Sequence, residues 1–144
     1  MSVAYDKDFY GWVNEQAQLI KSGALAQLDV DNLLEEVESM GRSELEQLET
    51  RLELLVMHLL KWRFQSDRQS RSWLLTIKEQ RQRINRLISR SPSIKHPMSQ
   101  EGFLDSVWEY AIVQAAKETG FEESMFPSTP IWTLTEILSL DFLP

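Results

Sequence analysis

Two histidines, His58 and His96, and the carboxylate run Glu35, Glu36 and Glu38 are the residues whose types could do chemistry. Imidazole and carboxylate are the metal ligands and acid–base groups that helical proteins most often use. Their spacing does not assemble a familiar site. There is no His-Glu-x-x-His, and no Glu-x-x-His to set two ligands on one helix face. His96 precedes Pro97 in a loop, and His58 stands one residue off an apolar stripe, where a structural hydrogen-bonded histidine is the simpler reading. The three glutamates read as a solvated face with one or two members turned inward, and nothing singles out two of them as an acid pair. The chain has no cysteine, which removes thiolate catalysis, disulfides and cysteine metal sites. It has no G-x-S-x-G, and its five glycines are isolated, so no loop cradles a phosphate. No catalytic residue, cofactor or metal is expected, and enzymatic activity is left uncertain, with the balance against it.

The basic residues are the other candidate. Residues 1–60 carry four basic and twelve acidic side chains, residues 61–95 ten basic and two acidic, and residues 96–144 one basic and eight acidic. Arg63, Arg68, Arg71, Lys78, Arg83, Arg86 and Arg90, with Trp62, Phe64 and Trp73 interleaved, could line a phosphate-binding face. The same charges could equally pair with the acidic segments on either side. Nucleic-acid binding through this basic helix is therefore the weaker alternative.

These residues must be positioned by helices. Residues 29–65 contain no proline, and apolar side chains at Leu34, Val37, Leu45, Leu48, Leu52, Leu55, Leu59 and Trp62 fall three or four residues apart, mostly. That spacing predicts one helix of roughly 50 Å at ~1.5 Å per residue. Gly41 could end it, with Ser43 and Glu46 as a new capping box. The stripe keeps phase across the glycine, so one continuous, bent helix is expected. The stripe is also long for a domain of 144 residues to cover, and an uncovered end, with Leu59 and Trp62 as the candidates, would make a homodimer surface.

A first helix is expected from Asp6 or Asp8 to Ser22, stopped by Gly23, with Phe9, Trp12, Val13, Gln16, Leu19 and Ile20 on its apolar face. A third, capped by Ser70 or Ser72, runs to Arg90 before Ser91-Pro92-Ser93, with Gln80 and Arg81 standing in or beside its apolar stripe. Residues 94–98 read as loop. Ser99 is the expected cap of a fourth helix that ends at Gly120. In the tail, Thr133 and Glu136 make a capping box for a last short helix, and Phe126, Ile131, Trp132, Leu138 and Phe142 should dock it. The fold class expected is all-α: an up-and-down bundle of four main helices around the long bent one, with a short C-terminal helix and docked tail, as one domain over residues 1–144. No apolar run is long enough to span a membrane, and the opening MSVAYDKDFYGW lacks the pattern of a secretory signal, so a cytoplasmic protein is expected.

Several short stretches are familiar as a set: Tyr5-Asp6 with Trp12, Leu34-Glu35-Glu36-Val37-Glu38 with Gly41, His58-Leu59-Leu60-Lys61-Trp62, and Ser72-Trp73 with Thr76-Ile77. Glu79-Gln80-Arg81, Ser91-Pro92-Ser93, Glu118-Thr119-Gly120, Phe126-Pro127 and Asp141-Phe142 complete it. In these the chain resembles the bacterial domain of unknown function 29 family, over nearly its whole length. It departs from the family pattern at Ser66, where relatives often have proline, and at Thr129, where many have cysteine. The resemblance implies a compact, soluble, helical bacterial protein with no established activity. Four of the motif residues, Glu38, His58, Gln80 and Arg81, are polar among apolar neighbours. They read either as a buried network that fixes helix register or as a ligand site. The leading expectation is a non-enzymatic helical binding or regulatory module, homodimeric or bound to a protein partner. The alternative is an enzyme or small-ligand binder that uses those four residues.

Overall fold

The computed structural model describes residues 3–144. Among them are six α-helices and no strand, as the all-α reading requires: α1 (Phe9–Lys21), α2 (Val30–Phe64), α3 (Arg71–Arg90), α4 (Lys95–Met98), α5 (Phe103–Thr119) and α6 (Leu134–Leu138). Short 3₁₀ turns lie at Leu25–Gln27, Ser66–Arg68, Pro92–Ile94 and Glu123–Met125. The chain divides into two compact units, Met1–Glu44 and Leu45–Pro144, with α2 contributing its first part to one and its remainder to the other.

In the first unit, Asp8 caps α1 by accepting from the Gly11 amide at 3.0 Å, and Gly23 stops it in the left-handed region at φ 77°. The Ala24 amide then reaches back to Leu19 O at 2.9 Å. Asp29 starts α2: its carbonyl accepts from the Leu33 amide at 2.9 Å, and its carboxylate takes the Asn32 side-chain amide at 2.8 Å. The helix runs unbroken through Gly41.

The second unit holds the main core. Leu48, Leu52, Leu55, Leu59 and Leu60 of α2 pack with Ile77, Ile84 and Leu87 of α3 and Val107, Trp108, Ala111 and Ala115 of α5. The tail joins this core. Trp108 donates its indole N–H to Pro127 O at 2.7 Å, and Trp132 meets the Trp108 and Phe142 rings edge-on at 5.2 and 5.8 Å. Phe126 and Ile137 are buried, whereas Ile131, expected to help dock the tail, is exposed.

Residues 94–98 are not a loop, and Ser99 does not open the next helix. Pro92–Ile94 and Lys95–Met98 are consecutive helical turns, which bury Ile94 and Met98. Pro97 is tolerated because it sits in a first turn, where its missing N–H has no intrahelical partner. The Ser99 hydroxyl donates back to His96 O at 2.7 Å, which ends that turn. Gly102, at φ 87°, then reverses the chain into α5, which begins at Phe103 without a side-chain cap.

Candidate functional site

Three of the four polar residues have separate partners. Arg81, only 2% exposed, donates from Nε to Ile137 O at 2.8 Å and from Nη2 to Phe142 O at 2.6 Å. A planar guanidinium can serve two carbonyls at once, and here it ties α3 to the last turn of α6 and to the tail that follows it. Burial lowers its pKa, and Asp141 opposes that shift. Gln80 is buried and accepts from Arg51 Nη1 at 3.3 Å. His58 is half-buried, with Nδ1 3.0 Å from Leu54 O, the arrangement of a neutral ring that donates to a carbonyl one turn back. Glu38 lies in the first unit and is exposed on α2.

Beside His58 stands a group that the charge pattern alone does not reveal. Lys61 is buried, its Nζ 4.4 Å from the Trp73 ring centroid and 3.8 Å from Glu118 Oε2. The indole face and the carboxylate together offset the desolvation of the ammonium. Three helices, α2, α3 and α5, thus meet at one cation. Burial is the largest influence on His58 and holds its pKa below the ordinary value. The Leu54 hydrogen bond opposes this, Lys61 adds to the lowering, and Glu118 opposes it more weakly. A folded pKa below the unfolded value of ~6.5 means that the unfolded chain binds the extra proton first. Stability tied to His58 is therefore complete above about pH 6.5 and falls as the pH drops through the lower folded value. In His58→Gln the slope of unfolding free energy between pH 7.5 and 5, measured by urea titration, is expected to be shallower than in the parent.

The apolar stripe of α2 changes character along its length. Leu48, Leu52, Leu55 and Leu59 are buried in the second unit, so Leu59 is no surface residue, and Trp62 is partly covered. At the other end Val30, Leu34 and Val37 are 63, 55 and 62% exposed, with Met40 beside them. Gly41 continues this row one turn after Val37, and a Cβ placed there would meet nothing within 4 Å. Phe9, Val13 and Ile20, expected on the buried face of α1, are exposed as well. The first unit carries nine acidic and three basic residues.

Among the described residues, no group of three or more histidine, aspartate or glutamate side chains could hold a metal ion, and no helix is long and apolar enough to cross a membrane. A family model described as Domain of unknown function DUF29 matches residues 4–143. No curated protein and no solved structure matches the chain.

Proposed function

The chain belongs to the domain of unknown function DUF29 family, and from that premise we propose that it is a non-enzymatic protein-binding module that self-associates through the uncovered part of α2. The row Val30, Leu34, Val37 and Gly41 carries this reading. It is a helix face with the spacing of a packing stripe and nothing of its own unit upon it. A twofold pairing brings the same surface of two copies together, and where the twofold axis stands perpendicular to the helix the two copies of it run antiparallel. Centred near Val37, such a crossing sets Leu34 of each copy over Gly41 of the other, where the missing side chain admits it. It also carries Arg42, the one basic residue of this stretch, toward the acidic start of the second helix at Asp31 and Glu35. Arg42 already pairs with Glu35 of its own chain at 3.0 Å, an exposed contact that solvent weakens and that exchange between copies can replace.

Light scattering at high micromolar concentration tests this. The parent chain is expected to give the mass of a dimer, and Leu34→Asp to weaken association by roughly 30-fold or more, the worth of about 2 kcal/mol for one buried leucine. A parent mass of one chain, 16.8 kDa, would exclude the reading.

A further inference from the structure

In the second unit, Arg83, Arg86, Leu87 and Arg90 lie at three- and four-residue intervals along α3, on one face of the helix. With Gln47 and Arg51 of α2 they line an open pocket of about 200 Å³. No carboxylate lines it. Like charges at this spacing on a helix repel one another, and an anion bound among them relieves that repulsion. Arg51 uses Nη1 on Gln80, and Arg83 uses Nε on Glu79 at 3.0 Å, bonds that fix each arm and leave further guanidinium N–H groups for the pocket. Leu87 is the buried apolar member of the lining.

We propose that this four-arginine pocket binds the phosphate groups of a small anion. Guanidinium groups match phosphate oxygens by paired, charge-assisted hydrogen bonds, and several around one opening favour a compact, multiply charged ligand over chloride. The size limits the ligand. Pockets that envelop a drug-sized molecule run to roughly 300–1,000 Å³, so this one takes one or two linked phosphates and leaves any attached group outside. The site is independent of self-association through α2, which uses the other unit.

Inorganic pyrophosphate is the probe, titrated calorimetrically into the full chain at constant ionic strength, with sodium chloride as the reference. Saturable one-to-one binding is expected. Arg86→Gln and Arg51→Gln should each weaken it by about tenfold, the effect of losing one hydrogen bond between charged groups. Arg68→Gln, outside the pocket, should leave it unchanged. Arg86 is exposed, and an unaltered thermal midpoint without ligand shows that its variant folds. A response that sodium chloride reproduces, or equal weakening by all three substitutions, would mean diffuse screening and overturn the site. Binding of an oligothymidine with no binding of pyrophosphate would overturn it as well, in favour of an extended nucleic-acid face.

Discussion

Replacing Arg81 by methionine is expected to lower the unfolding free energy by about 2–4 kcal/mol, although methionine keeps most of the volume and removes a buried charge. The guanidinium is hydrogen-bonded to Ile137 O and Phe142 O, which lie 56 and 61 residues further along the chain. Without it, both carbonyls lose a donor where little water reaches, and each such loss costs about 1–3 kcal/mol. Relief of the desolvated charge offsets part of this, which is why the total stays below the sum. Arg81→Lys keeps the charge but offers a single point where the native group offers a fork, so about half the loss is expected. Hydrogen exchange separates the tail from the rest of the unit. The Ile137 and Ser139 amides, bonded to Thr133 O and Glu136 O, should exchange faster in both variants, ahead of those in the middle of α5. A methionine variant as stable as the parent would mean that Arg81 is not needed to hold the tail and would return it to the list of ligand-binding candidates.

Arg81 also shows how much of the molecule is legible in its sequence. That it interrupts an apolar stripe is visible at once, and so is the same anomaly at Gln80. What satisfies it is not, because a backbone carbonyl carries no signature of its own and lies far along the chain. Local devices are another matter. Asp8, Asp29, Ser70 and the Thr133–Glu136 box cap the helices assigned to them, and Gly23 and Gly120 end theirs in left-handed conformations, since each needs only residues within a turn or two. Ser99 fails on the same logic. A hydroxyl can accept at a helix start or donate at a helix end, and the buried Ile94 and Met98 beside it decide for the second.

Periodicity has a similar limit. Leu34 and Val37 have the same spacing as Leu48, Leu52 and Leu55, yet the first pair is exposed and the others are buried. A stripe reports which residues share a face, and only a second surface makes that face a core. Leu59, at 0% exposure, already belongs to such a core, and the proposed self-association therefore rests on the opposite end of the helix. Lys61 is the converse case. It reads as one more charge in a basic segment, and the structure places it under the Trp73 ring.

Trp12→Ala is expected to have the largest effect within the first unit, the loss of about 3–5 kcal/mol that follows truncation of a buried tryptophan. Trp12 is the one buried apolar residue among those described between residues 3 and 44, so little else holds α1 to the start of α2. The ring of Phe9 stacks on it at 5.8 Å, and Tyr5, whose hydroxyl donates to Glu36, meets it edge-on at 4.8 Å. Its indole N–H also donates to Asp29 Oδ2 at 2.9 Å, while the Asp29 amide donates to Gln16 at 2.8 Å. The cap of one helix is thus made by side chains of the other. Hydrogen bonds from Asn32 and then Trp12 hold the Asp29 carboxyl below the ordinary aspartate range. Trp12→Phe keeps most of the apolar volume and removes only the donor, so it should cost about 1 kcal/mol and let the Asp29 pKa rise. In Trp12→Ala, hydrogen exchange should find the α1 amides unprotected while those of Leu52 to Leu60 keep their parent rates, because the first unit has no second buried apolar side chain among its described residues to hold α1 in place. Equal loss of protection in both stretches would show that the chain unfolds as one cooperative body, and that α1 draws its stability from more than the Trp12 clasp.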